Sequence, residues 1–188
     1  MPRSGKESRA RLERAAFELF LERGFDAVTT AQIAERAGVT ERTYFRHFPD
    51  KREVLFDGER RLAEQLAAAL GEVPESVPPL VTLQQAFHAV VPMLEGNRIA
   101  GLQLARIAAA TPALRERAAA KEARMIDMLS SALRARGTGE EHAAIAARTG
   151  WGILAHAMGR WQADPAVPLG EQVELAFRQL RELLALPG

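Results

Sequence analysis

Cysteine is absent from this chain of 188 residues. Its absence removes disulfides, thiolate chemistry, iron–sulfur clusters and the usual cysteine-ligated zinc sites. Also missing is any run of about eighteen apolar residues, so no membrane-spanning helix is expected. Arg3 and Lys6 are followed by no apolar signal-peptide core, and a cytoplasmic location is the expectation. The four histidines, His47, His88, His142 and His156, are nowhere three or four residues apart. No helix therefore offers a metal-binding pair, and neither a metal nor a cofactor is expected. A nucleophile elbow, a phosphate-binding loop and carboxylates paired in a defined setting are missing too. An enzyme is not expected, and no residue is assigned a catalytic role.

What is present is an ordinary soluble balance, 47% hydrophobic and 26% charged. A net charge of +1 points to no particular partner, but its distribution is uneven. Between Met1 and Arg14, the bases Arg3, Lys6, Arg9, Arg11 and Arg14 outnumber Glu7 and Glu13. Such an excess in a mobile tail suits a polyanion, because phosphate attraction is tolerant of sequence; basic tails also occur in proteins that bind none. Strand-like alternation is missing, while Ala, Leu, Glu and Arg dominate, so the fold class read from the chain is all-α.

Helix signals follow one another in order. Segment 8–22 carries Leu12, Ala15, Ala16, Leu19 and Phe20 as one stripe, and Gly24 suits the left-handed position that ends a helix. Thr29 and Gln32 form a capping-box pair that starts a second helix, with Ile33, Ala34 and Ala37 inward and Gly38 as its stop. Val39 tucks inward, and Thr40 caps a short third helix over 41–47, broken by Phe48 and Pro49. Asp50 with Glu53 starts a long fourth, with Lys51 in its first turn and Leu55, Phe56, Leu62, Leu66 and Leu70 inward. Segment 71–79, with Pro74, Pro78 and Pro79, reads as a linker. Further helical stretches are expected at 81–95, 98–109, 112–136, 140–162 and 170–186, divided by Gly96-Asn97, Thr111-Pro112, 137–139 and Asp164-Pro165.

A helix ending at Gly38, a short turn and a capped short helix have the spacing of a helix-turn-helix, whose second helix lies in the major groove. Such a helix needs a polar face for base edges and an apolar back. Over 41–48, Tyr44 and Phe48 fall on one side, with Arg42, Thr43, Arg46 and His47 largely on the other. Arg42 is the leading candidate for base choice through bidentate contact with guanine; a phosphate contact or a solvated arginine are the alternatives. Glu41 either accepts from a cytosine amine or simply favours the helix N-terminus.

In order and spacing, Gly24-Phe25, Thr29, Ile33-Ala34, Ala37 to Thr40, Thr43, Phe45 to Phe48 and Lys51 resemble the signature of the TetR (tetracycline-repressor) family of transcription regulators. The resemblance spans 8–57. It implies an N-terminal three-helix helix-turn-helix domain over 1–57 and a larger helical-bundle ligand-binding and dimerisation domain over 58–188, with about nine helices in all. It further implies a homodimer on double-stranded DNA, a repressor released from a palindromic operator by a small apolar or amphipathic effector. A regulator that binds DNA constitutively, or under a protein partner, is the alternative. Carried over by position, Thr29 would bind a phosphate through its hydroxyl and the helix N-terminus. Thr40, Arg42, Thr43, Arg46 and His47 would reach bases or nearby phosphates, and Lys51 would clamp another phosphate. Phe45 stands where the family usually has a phosphate-binding tyrosine, so that contact is expected to be lost. Arg42 replaces a residue that is often small.

Beyond Val81 the apolar residues exceed what one short bundle needs. Met93, Met125, Met128 and Met158 all lie there; methionine suits varied apolar ligands and fills cores equally well. Candidate ligand contacts are Leu66, Phe87, Val91, Met93 and Leu102, together with Arg106, Met125, Met128 and Trp151. Gln103, Arg106 and His156 either orient a ligand or stay solvated. A self-association face is expected from Trp151, Leu154, Ala155 and Met158 on the eighth helix and Phe177, Leu180 and Leu184 on the ninth. Gly150, Gly152 and Gly159 permit close approach, although part of each stripe also closes the subunit's own core. Gly58 reads as a hinge or as a tolerated glycine.

Overall fold

Local chemistry at Thr29 sets the first boundary that matters. Its backbone is extended (φ −106°, ψ 158°), its hydroxyl accepts from the Gln32 amide at 3.2 Å, and its own amide donates to Gln32 Oε1 at 2.9 Å. This is the capping box expected from the sequence, a device that contributes about 1 kcal/mol. The computed structural model describes residues 3–185, without the side chains of residues 3, 4 and 57. Among them run nine helices: α1 (Arg3–Arg23), α2 (Thr30–Arg36), α3 (Glu41–His47), α4 (Glu53–Glu72), α5 (Pro79–Gly96), α6 (Arg98–Ala110), α7 (Pro112–Ala135), α8 (Glu140–Ala163) and α9 (Leu169–Leu184). The described residues contain no strand.

Several boundaries differ from the sequence reading, most by a single residue. Helix α1 begins at Arg3, not Ser8, so the described part of the basic segment is helical and not a mobile tail. Ser8 is buried inside that helix instead of standing at its end. The Arg3 side chain of the basic count lies outside what is described, and the last helix ends at Leu184, capped at Ala185, short of the expected 186. Helix α4 begins at Glu53: the Asp50 carboxylate accepts from the Arg52 amide at 2.6 Å and the Glu53 amide at 3.1 Å. Lys51 therefore sits in the turn ahead of α4 and not in its first helical turn. Helix α5 starts at Pro79, because proline is tolerated where no amide is needed.

The chain forms two compact units, each with its own core. The first comprises the chain up to Arg60 together with Ile99–Ala119. Its core holds Leu12, Leu19 and Phe20 of α1, Ile33 of α2, Tyr44 of α3, Phe48 and Leu55, and also Ile107 of α6 and Leu114 of α7. Gly24 (φ +82°) and Gly38 (φ +66°) make the left-handed turns that end α1 and separate α2 from α3. The second unit comprises Arg61–Arg98 and the chain from Ala120 onward. There Leu66 and Leu70 of α4, Phe87 of α5, Met125 and Leu129 of α7, Leu154 of α8 and Phe177 of α9 share one core.

Gly150 on α8 faces Leu83 and Phe87 of α5, and a Cβ there would lie 2.6 Å from Leu83 Cδ1. Its smallness is used inside the unit, whereas Gly152 and Gly159 face open space.

Candidate nucleic-acid interface

The short helix α3 is held at both ends and along its back. At its start, Thr40 is extended (φ −80°, ψ 154°) and its hydroxyl accepts from the Thr43 amide at 3.2 Å, with the two hydroxyls 3.0 Å apart. Beside it, Thr30 Oγ1 donates to Glu41 Oε1 at 2.5 Å, joining the first turns of α2 and α3. That partner fixes Glu41, which the sequence left between a base contact and a helix-end role. At the other end, Arg9 of α1 donates from Nη1 to the His47 carbonyl at 3.3 Å and lies 4.5 Å above the Phe48 ring. A cation at the carbonyl end of a helix complements its dipole. Along the back, Tyr44 and Phe48 are buried, and the Tyr44 hydroxyl donates to the Asp50 carbonyl at 3.1 Å. Burial, with Asp50 and Glu53 nearby, pushes the Tyr44 phenol well above its ordinary range, so it remains a donor.

What α3 leaves to solvent is an arc of Glu41, Arg42, Phe45 and Arg46. Thr43 and His47, expected on the outer face, are half-buried at its margin. Thr29 and Thr40 are exposed beside it. Phe45 is half exposed, an unusual setting for a phenylalanine.

Lys51 is committed more fully than the sequence suggested. Its Nζ donates to the Phe25 carbonyl at 2.7 Å and the Val28 carbonyl at 2.9 Å, and sits 4.2 Å above the Phe25 ring. Burial lowers its pKa, and Asp26 opposes that shift. The ammonium thus secures the loop leading into Thr29. One proton of its three is left for other work.

His47 Nε2 is buried without a hydrogen-bond partner in the structure. Burial first, then Arg46 and Arg9, lowers the His47 pKa below its ordinary value. The unfolded chain therefore takes up this proton more readily than the folded one, and its contribution is lost as pH falls through the unfolded pKa of about 6.5. Urea midpoints are expected to be lower at pH 5.5 than at pH 7.5, with His47→Asn flattening that difference. Asp50 and Glu22, both lowered, act only in the carboxylate range below. An equal pH dependence in wild type and His47→Asn would contradict the assignment.

The sequence reasoning missed Arg9 as a brace for α3, and Thr30 as the partner of Glu41. It also missed Arg117 of α7, whose guanidinium reaches Glu53 at 3.2 Å and Glu59 at 3.4 Å and lies 4.9 Å above Phe56. All three join residues distant in the chain, and nothing local marks them.

The candidate ligand contacts divide between the units. Leu66, Phe87, Val91 and Met125 are buried in the second core, with Met93, Met128 and Trp151 half-buried against it. Leu102 and Arg106, half-buried and exposed respectively, belong to the first unit. Of the candidate self-association residues, Leu154 and Phe177 are buried in the second unit's own core. Trp151, Met158 and Leu180 are half-buried, while Ala155 and Leu184 are exposed. Among the described residues no group of three or more histidines and carboxylates is placed to hold a metal, and no helix is long and apolar enough to cross a membrane.

Residues 13–57 match the sequence model of the bacterial regulatory proteins of the tetR family. The transcriptional regulator TcmR of Streptomyces glaucescens is 37% identical over 97 residues, which cover 52% of this chain and 43% of TcmR. The chain thus spans less than half the length of that curated relative. Among solved structures, the FadR repressor of Thermus thermophilus, in complex with lauroyl-CoA, is 27% identical with a TM-score of 0.61, covering 96% of both chains. SmeT of Stenotrophomonas maltophilia, solved with triclosan, shares the fold at 22% identity and a TM-score of 0.65, covering 92% of this chain and 88% of SmeT. The match in the capped helix-turn-helix segment and the end-to-end likeness of the helices to a solved repressor agree: this chain is similar to the tetR-family bacterial regulatory proteins, most specifically over residues 13–57.

Proposed function

We propose that the chain is a cytoplasmic, non-enzymatic transcription regulator that binds a palindromic operator as a homodimer and leaves it when a small apolar or amphipathic effector binds. The outer arc of α3 carries this reading. Arg42 and Arg46 stand on a capped helix braced by Tyr44 and Arg9, beside the exposed hydroxyls of Thr29 and Thr40, and Lys51 holds the loop that leads into Thr29. Arg42 and Arg46 are assigned to base edges or neighbouring phosphates, Thr43 and His47 to the margin of that contact, and Thr29 to a phosphate. Lys51 supports the same surface and offers its remaining proton to a phosphate. We place the DNA-binding module within 1–57 and the effector and dimer functions within 58–188.

For self-association, the supporting residues are those that α8 and α9 leave accessible. Ala155 and Leu184 are exposed, Trp151, Met158 and Leu180 half-buried, and Ile145 and Leu183 add exposed apolar surface. Leu154 and Phe177 back this face from within. In a dimer, two copies of α3 about 34–36 Å apart would enter successive major grooves. Lauroyl-CoA, the partner of the FadR repressor, is amphipathic, which supports the same class of effector here. An effector releases DNA only as far as it prefers the non-binding state: a shift from 1:99 to 99:1 needs about 5.5 kcal/mol.

The test is fluorescence anisotropy of the full-length protein on the DNA flanking its own gene, over a salt series and against a scrambled competitor. Specific binding that weakens steeply with salt is expected, because each neutralised phosphate contributes about −0.9 to the logarithmic slope. Arg42→Ala is expected to lose about 5- to 150-fold on the specific duplex, the equivalent of about 1–3 kcal/mol for one bidentate base contact, with little loss on the competitor. An equal loss on both duplexes would make Arg42 a phosphate contact. Undiminished binding would remove α3 as the reading helix.

A further inference from the structure

Within the operator-binding reading, on which this inference rests, one residue of the α3 arc has no role. Phe45 is 50% exposed, and its ring has no group that can bind a phosphate. It is not loose: its ring meets the buried Tyr44 ring edge-on, with centroids 5.6 Å apart and planes at 84°. Tyr44 is fixed in turn by its hydrogen bond to the Asp50 carbonyl. At about 100° per residue, Phe45 lies roughly 60° from Arg42 around the helix, between Arg42 and Glu41. The helix therefore carries a rigid apolar disc in the middle of the surface assigned to base edges.

Base edges in the major groove are almost wholly polar. They offer one apolar group, the 5-methyl of thymine, and phenylalanine is among the side chains that contact it. We propose that Phe45 is a specificity-determining residue that packs on a thymine 5-methyl group in each half-site, next to the base read by Arg42. The tyrosine-like position has thereby exchanged a backbone contact for a base contact. Half-sites should carry a thymine whose methyl group, and not only its pairing, is required.

The experiment begins with duplexes selected by the full-length protein from a random-sequence pool. Each thymine of the selected half-site is then replaced, one at a time and symmetrically, by deoxyuridine, which removes only the methyl group. Wild-type protein is expected to lose roughly 3- to 10-fold in affinity at one symmetric position. Phe45→Ala should bind the thymine duplex about as weakly as wild type binds the deoxyuridine duplex, and should not distinguish the two. Phe45→Leu, which keeps an apolar surface, should recover part of the discrimination, with unchanged melting showing that each variant folds. The proposal is overturned if deoxyuridine has no effect at any position, or if Phe45→Ala retains the full wild-type discrimination. A Phe45→Ala loss that is equal on thymine and deoxyuridine duplexes in the presence of undiminished methyl discrimination would assign the ring to the sugar–phosphate backbone instead. A pool yielding no preferred sequence refutes operator binding itself, and this inference falls with it.

Discussion

Lys51→Met is expected to destabilise the first unit by about 2–4 kcal/mol, the sum of two lost charge-assisted hydrogen bonds and a cation–π contact, offset in part by rehydration. Methionine keeps the apolar stem over Phe25 but cannot donate to the Phe25 and Val28 carbonyls, now held at 2.7 and 2.9 Å. Those carbonyls belong to the loop that delivers Thr29 to the start of α2. Losing their donor therefore loosens the capping box and, through Thr30 and Glu41, the start of α3. At about 2–4 °C per kcal/mol for a chain of this size, the melting midpoint should fall by roughly 10 °C. DNA binding reports separately on the proton left over. If it meets a phosphate, the logarithmic salt slope falls by about one; if Lys51 acts only through the loop, affinity falls with the slope unchanged. An unaltered midpoint would show that the carbonyl contacts carry no weight in the folded state.

Helix existence and the helix-turn-helix segment were legible because both depend on short-range patterns. The capping box at Thr29, the left-handed stops at Gly24 and Gly38, and the stripe of Leu12, Ala15, Ala16, Leu19 and Phe20 are each complete within a few residues. Periodicity also picked out Leu55, Phe56, Leu62, Leu66 and Leu70, all of which are buried. What a stripe cannot say is which core it enters. Ile107 and Leu114 lie past the midpoint of the sequence yet share one core with residues of α1, α2 and α3. The same limit affects α3. A helical projection places Thr43 and His47 on the polar side, but neighbouring elements half-bury them and leave Phe45 out. For Lys51, the pattern registered a cation at the right place for a phosphate, but two carbonyls from a loop more than twenty positions away had already engaged it.

Phe87→Ala should be the most damaging substitution in the second unit, at about 3–5 kcal/mol. The side chain is completely buried at the meeting of α5, α8 and α9. Its ring lies 6.3 Å from that of Phe177, with planes at 40°, a tilted pairing that adds about 0.5–1.5 kcal/mol to burial alone. On the other side, the α8 backbone approaches so closely at Gly150 that an added Cβ would stand 3.5 Å from Phe87 Cε2. With no side chain on Gly150 to swing into the space, truncation leaves a cavity in place of a collapsed core, which puts the cost at the upper end of its range. A fall of roughly 15 °C in the melting midpoint follows, and Phe87→Leu should recover more than half of it. The measurement also bears on the effector. Phe87 was read as a ligand contact, and in this core it is packed against protein on all sides. If Phe87→Ala instead melts like wild type and loses only effector response, Phe87 lines a cavity that ligand fills. A large loss of stability without ligand makes it part of the wall's foundation.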